Sequence, residues 1–477
     1  MATAFDLIIV GAGPGGYEAA VEAAREGKQV LVIERGHFGG TCLNEGCIPT
    51  KCLCHSAEVL DEVRQSAALG VQTADVQFSL QDAMVRKDGV VEKLRAGIEA
   101  LMKAPGITFV QGEARFLPKD SPSHRGEVEG GLHTVIVGDE EYTAPAVMIA
   151  TGSVTKFLPI PGAHSQHVVT SREMLELTEV PRRLAVIGGG VIGLEFASIY
   201  RSFGSEVTVV EYCKEILPQF DRDLAKRLRT SLKKRGIAFE VGAAVTEVRD
   251  EADGSATVLY SQKDKVKEVP ADLVLMAVGR AANVDSLNLA EAGIDFTPRG
   301  IKVDENYQTN VPGVFAVGDV NGLLQLAHAA TFQSYKVLDY LRATANIPEG
   351  KPSAEALPHR GSGEGVVPAA VFTTPECAMV GLTEEQCEAQ GLEYRALKSF
   401  YRANGRALSM EAEDGLVKIL VGADDTILGA HILGAHAADM IHELTLAIHA
   451  GIKLPQLARM VHAHPSLSEI ILAAARG

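Results

Sequence analysis

The sequence has no run approaching the roughly 18 to 20 uninterrupted apolar residues that a membrane-spanning helix requires, so no membrane partner is expected. It also lacks an excess of positive charge: 45 Lys and Arg against 61 Asp and Glu give a formal net charge of −16. Sequence-independent binding to nucleic acid or to an anionic surface needs clustered cations, so neither partner is expected. The N-terminus passes directly into the apolar DLIIV, with no basic leader, longer hydrophobic region or cleavage site, which predicts a cytoplasmic or matrix-like location. Cysteine is sparse and odd in number. Of seven, Cys42, Cys47, Cys52 and Cys54 crowd together while Cys213, Cys377 and Cys387 are scattered. That pattern excludes a secreted disulfide framework, and such a cluster in a reducing compartment points to catalysis or metal binding.

What is present is length and internal order. A chain of 477 residues exceeds what one core usually organises, so two to four domains are predicted. Residues 6 to 34 (DLIIVGAGPGGYEAAVEAAREGKQVLVIE) superimpose without gaps on 183 to 211 (RLAVIGGGVIGLEFASIYRSFGSEVTVVE), a shift of 177 residues. Gly11, Gly13, Gly16, Gly27 and Glu34 fall on Gly188, Gly190, Gly193, Gly204 and Glu211. Each copy opens with a β-branched run, passes through GxGxxG into a small-residue helical pattern and closes with a second apolar run ending in Glu. This is a βαβ dinucleotide fingerprint. The first glycine permits the tight turn, the second admits a pyrophosphate to the backbone, the third packs helix on strand, and the helix N-terminus faces the phosphates. The terminal Glu can accept from an adenosine ribose hydroxyl. Glu211 would repel a 2′-phosphate, so NAD rather than NADP is predicted at the second site, with Lys214 read as a surface residue. The glycines of the first copy suit either kind of dinucleotide.

IATG (149 to 152) and AVGR (277 to 280) end strands at corresponding stages of the two copies, which makes Thr151, Gly152 and Gly279 candidate cofactor contacts. TNVPGVFAVGD supplies a further strand ending in Asp319. Stretches 109 to 148 and 239 to 276 read as matching β excursions. The Pro-, Gly- and Ser-rich 345 to 367 marks an exposed connection to a C-terminal domain of strands followed by helices over 435 to 450 and 466 to 475. The predicted boundaries are 1–152, 153–280, 281–350 and 351–477.

Cys42 and Cys47, with four residues between them in GGTCLNEGCIPTK, do not fit the CxxC half-sites of structural zinc, and no second pair lies at suitable spacing, so no metal is predicted. A glycine-rich loop running into a helix would place them near a helix N-terminus, where the dipole favours thiolate. Lys51 follows Cys47 by four residues and would share its helix face. Taken alone, Lys51 and Glu195 would be solvated surface residues, and His462 and His464 could be HxH metal ligands or ordinary surface histidines.

Together, GGTCLNEGCIPTK and the double repeat resemble the pyridine nucleotide-disulfide oxidoreductases over nearly the whole chain, and most of all the members that oxidise dihydrolipoyl groups. The resemblance implies an α/β fold: two Rossmann-like dinucleotide-binding domains, for FAD and NAD, plus a C-terminal α+β dimerisation domain. It implies that Lys51 lies near the flavin and pairs with Glu195, that Asp319 holds the ribityl chain, and that Cys42 meets substrate while Cys47 meets flavin. HAHPSLSE matches the family's histidine and glutamate, making His464 the acid–base catalyst, oriented by Glu469 and followed by a cis peptide at Pro465. The implied assembly is a homodimer in which His464 completes the partner's site. The implied partners are the lipoyl domains of 2-oxo acid dehydrogenase or glycine cleavage proteins. Glutathione-type relatives carry Tyr where this chain has Val191 and arginines where it has Glu211. Mercuric and large thioredoxin reductase-like members carry a second C-terminal redox pair, where this chain reads ILAAARG. A non-catalytic subunit is the reading from another class. Cys52 and Cys54 depart from the family pattern and are read as buried inert thiols, Glu45 is expected to face solvent, and the connections at 119–131 and 345–367 exceed those of typical relatives.

Overall fold

A computed structural model describes residues 3–118, 131–344 and 366–477, so the two long connections lie almost wholly outside the described residues. The chain forms two compact units. One comprises residues 1–49, 85–156 and 280–359, the other residues 50–84, 157–279 and 360–477.

In the first unit a five-stranded parallel sheet runs in the order Val314–Ala316, Val147–Ile149, Leu7–Val10, Val30–Glu34, Ile107–Gln111. The strands Leu7–Val10 and Val147–Ile149 are wholly apolar and buried, as expected inside a sheet covered on both faces, whereas the edge strand Ile107–Gln111 is mostly exposed. Leu7, Ile9, Val30 and Val32 enter one core with Ala19, Ala20 and Ala23 of the helix Pro14–Arg25, while Ile8, Val10, Leu31 and Ile33 enter the other. The β excursion is a four-stranded sheet that includes Ala114–Phe116, His133–Val137 and Glu140–Ala144. The FVQ of the expected excursion instead belongs to the parallel sheet, as part of Ile107–Gln111.

In the second unit the order is Val168–Val169, Leu273–Met276, Arg183–Ile187, Glu206–Glu211, Ala238–Val241, again parallel. The repeat extends to hydrogen-bond register. Leu7 pairs with Val30 and Leu184 with Val207, both pairs related by the same shift, and the helix Val191–Phe203 follows its glycine loop as Pro14–Arg25 follows its own. An antiparallel sheet of the strands Ala244–Asp250, Ala256–Gln262 and Lys265–Ala271 is the second excursion. The C-terminal part of this unit is a five-stranded antiparallel sheet with the helices Ala437–His449 and Glu469–Arg476, packed around its own core. Lys418 and His431 are opposed on neighbouring strands of that sheet and both are fully buried. Lys418 Nζ bonds both oxygens of Asp221, at 2.8 and 2.7 Å, and also Glu384. Asp221 caps the helix Arg222–Lys234.

Candidate redox site

The two glycine loops show why each glycine is needed. A Cβ on Gly11 would stand 2.4 Å from Ala150 O, and one on Gly16 1.9 Å from Gly11 O; Gly188 and Gly193 meet the same obstruction at 2.3 Å from Ala277 O and 2.1 Å from Gly188 O. The middle glycines differ. A Cβ on Gly190 would meet nothing within 4 Å, and one on Gly13 only Gly40 Cα at 3.9 Å. Both are N-cap residues with extended backbone, so their peptide surface opens at a helix N-terminus, where unpaired N–H groups favour phosphate. Gly152 and Gly279, at φ of 71° and 105°, likewise have open space where a Cβ would be.

Glu34 and Glu211 close these loops. Glu34 accepts from Ala12 N (2.8 Å) and Gly36 N (2.7 Å). Glu211, nearly buried, accepts from Gly189 N and from Cys213 N (2.6 Å). Each carboxylate therefore fixes its own turn, a role the motif alone does not disclose. Lys214 is exposed.

Cys42 sits within the short helix Gly40–Glu45, and Cys47 is the first residue of the helix Cys47–Gln65. Both members of the pair are half-buried. The first-turn position of Cys47 favours its thiolate. Glu45 is half-buried, and its charge is near enough to Arg280 to raise the arginine's pKa.

Arg280 was not among the expected site residues. Its guanidinium donates to Ser153 Oγ (2.7 Å) and Ser153 O (2.7 Å) across the strand pair Ser153–Thr155 and Arg280–Ala282. Ser153 Oγ in turn donates to Asp319 Oδ2 at 2.5 Å. Burial lowers the Arg280 pKa, against the pull of Asp319, Glu45 and Cys47, and burial raises that of Asp319. Thr151 bonds Asn283 O at 2.8 Å, which ties IATG to the strand beyond AVGR. The arginine follows Gly279 directly in AVGR, and that adjacency was the available signal.

One turn beyond Cys47, Lys51 Nζ lies 3.0 and 2.9 Å from the two oxygens of Glu195. Phe372 binds this pair in two ways: its N–H donates to Glu195 Oε1 (3.0 Å) and Lys51 Nζ stands 4.7 Å from its ring centroid. Cys54 Sγ donates to Phe372 O at 3.3 Å. Cys52 and Cys54 are buried, and burial, followed by the Glu195 charge, holds the Cys54 thiol well above its usual range.

His464 precedes a cis proline and is largely exposed; its Nδ1 is 3.0 Å from Glu469 Oε1. The N–H of Ser466 (2.8 Å), then His464, lower the Glu469 pKa. His462 turns elsewhere, to Glu443, so the HxH pair does not converge. Among the described residues no three His, Cys, Asp or Glu side chains gather as a metal site, and no helix is long and apolar enough to cross a membrane.

The pyridine nucleotide-disulphide oxidoreductase family matches residues 5–334, and its dimerisation domain matches residues 367–475. The chain belongs to this family. Among its relatives, a dihydrolipoyl dehydrogenase of Geobacillus stearothermophilus is 39% identical over 476 residues, covering 98% of this chain and 95% of that protein. Two solved structures share the fold end to end. LpdA of Mycobacterium tuberculosis gives a TM-score of 0.85 at 28% identity, covering 99% of both chains. The Cu(II) complex of the HOCl-induced flavoprotein disulfide reductase RclA of Escherichia coli gives 0.84 at 30% identity, covering 100% of this chain and 99% of that one. The family match spans both glycine loops, the cysteine pair and Asp319, and the dimerisation match spans His464 and Glu469.

Proposed function

We propose that this family member is a homodimeric, cytoplasmic flavoprotein that oxidises protein-bound dihydrolipoyl groups with NAD. Its near full-length likeness to dihydrolipoyl dehydrogenase carries the reading. The natural substrates are lipoyl domains of 2-oxo acid dehydrogenase or glycine cleavage systems. The four predicted segments act as an FAD part in two pieces (1–152 and 281–350), an NAD part (153–280) and an interface part (351–477).

The open middle glycines fit dinucleotides: Gly11, Gly13, Gly16, Glu34, Thr151, Gly152, Gly279 and Asp319 would hold FAD, and Gly188, Gly190, Gly193 and Glu211 would hold NAD. Bound FAD supplies the two-electron relay between the reduced cysteines and NAD. The remaining steps belong to side chains. His464, with Glu469 stabilising its imidazolium, takes the proton of one substrate thiol. The resulting thiolate attacks Cys42 Sγ of the Cys42–Cys47 disulfide, forming a mixed disulfide and releasing Cys47 as thiolate. The second substrate thiol, deprotonated in turn, closes the product disulfide and frees Cys42. The substrate has lost two electrons and the cysteine pair has gained them. Lys51, held by Glu195, places a cation one turn from Cys47.

Anaerobic addition of dihydrolipoamide to the holoenzyme tests this. A thiolate-to-flavin charge-transfer band should appear, and NADH should form on adding NAD. Flavin reduced by NADPH but inert to the dithiol would move the chain to another disulfide reductase of the family, and a flavin inert to both would mark a non-catalytic subunit.

A further inference from the structure

His464 must present its imidazole at a fixed point, yet it stands on a segment with little to hold it. From Arg459 to Pro465 every residue is exposed except His462, and Val461 is 97% exposed. The His464 side chain itself is 82% exposed. C-terminal to it, Glu469 binds both His464 and Ser466 N, and Asn404 Nδ2 donates to Ser466 O at 3.0 Å. On the N-terminal side the inward side chain is His462, whose imidazole is 6% exposed and whose Nε2 lies 2.8 Å from Glu443 Oε1 on the helix Ala437–His449. Its Nδ1 is buried without a hydrogen-bond partner among the described residues. A proton there would be stranded, so the tautomer with Nε2–H donating to Glu443 is the one that fits.

We infer that His462, anchored by Glu443, is a positioning residue for His464, pinning the exposed segment to the helix Ala437–His449 so that the catalytic imidazole meets the dithiol at a fixed distance. This rests on the role proposed for His464. The two histidines divide the work: one turns inward to a helix carboxylate and fixes the chain, and the other, two residues on, turns outward to a second carboxylate and moves protons. A single ångström of misplacement in such a site costs up to about 100-fold in rate.

The test compares holoenzymes carrying His462→Ala, His462→Gln, Glu443→Ala and His464→Gln in two assays. One is dihydrolipoamide oxidation by NAD; the other is NADH oxidation by ferricyanide, which needs neither dithiol nor His464. His462→Ala and Glu443→Ala should lower dithiol kcat by roughly 10- to 100-fold with KM within about twofold, and leave the ferricyanide rate within about twofold. His462→Gln, whose amide can still donate to Glu443, should recover most of the loss. Dithiol kcat near wild type in His462→Ala, or parallel losses in both assays, would overturn the inference. Should His462→Ala fail to fold, Glu443→Ala decides by the same criteria. Full dithiol activity in His464→Gln would instead remove the proposed role of His464.

Discussion

Glu195 grips Lys51 from within the protein: both carboxylate oxygens lie at or under 3.0 Å from Nζ, while the residue is only 3% exposed. The same carboxylate receives the Phe372 N–H. Glu195→Ala strands both donors and is expected to destabilise by about 3 kcal/mol, whereas Glu195→Gln keeps acceptors for them and should cost clearly less. Urea unfolding at unchanged m-value measures both, and equal losses would show that the Glu195 charge, rather than the acceptors that Gln retains, carries the stabilisation.

The glycine loops separate folding from binding. Gly190→Ala adds a methyl group that meets no protein atom within 4 Å, so stability should change by less than about 1 kcal/mol. The methyl would occupy space assigned to the pyrophosphate, and KM for NADH should rise by roughly tenfold, or about 1.4 kcal/mol. Gly193→Ala, with its Cβ 2.1 Å from Gly188 O, should instead lose stability. Unchanged NADH affinity in a well-folded Gly190→Ala protein would exclude that path for the phosphates.

Cys54 is expected to be chemically silent. Its thiol is buried, its pKa is raised by burial and then by the Glu195 charge, and it already donates to Phe372 O. Alkylation of the reduced protein near neutral pH, read by peptide mass, should label Cys42 or Cys47 and leave Cys54 unmodified. Replacing Cys52 and Cys54 together by Ala should leave turnover and oxidation behaviour unchanged; labelling of Cys54 at a comparable rate would contradict its burial.

Acid should weaken the C-terminal sheet through His431. Burial lowers its pKa to about 4 from 6.5, against the pull of Asp221 and with the help of Lys418. Because the unfolded chain takes up a proton that the folded one refuses, stability is full above about pH 6.5 and declines as pH falls toward 4, by about 3 kcal/mol at most. Thermal melts between pH 7 and 4 should show this slope, and His431→Gln should flatten it. A slope unchanged by the substitution would place the acid sensitivity elsewhere.

The repeat was legible because a βαβ unit binds its nucleotide through glycines at fixed spacing, and identical spacing brought identical register at Leu7 and Leu184. Lys51 and Glu195, 144 residues apart, came only from resemblance, since no local spacing links them. Phe372 was invisible for a different reason: much of its work is done by its peptide N–H and C=O, which every residue except proline shares. Arg280 and Ser153 meet only through the pairing of the strands Ser153–Thr155 and Arg280–Ala282, which no local spacing announces.

The strand order of the first sheet also governs how the chain can be made. Val147–Ile149 is entirely buried between Leu7–Val10 and Val314–Ala316, yet its second neighbour is encoded some 165 residues downstream. At about 5 to 20 residues per second, a ribosome needs roughly 8 to 33 s to cover that distance, during which an apolar edge with unpaired N–H and C=O groups stays open to any strand that reaches it. Nascent chains stopped anywhere between the two strands should therefore be the aggregation-prone species of this protein, and release from that hazard comes only when Phe315 has been synthesised and docked.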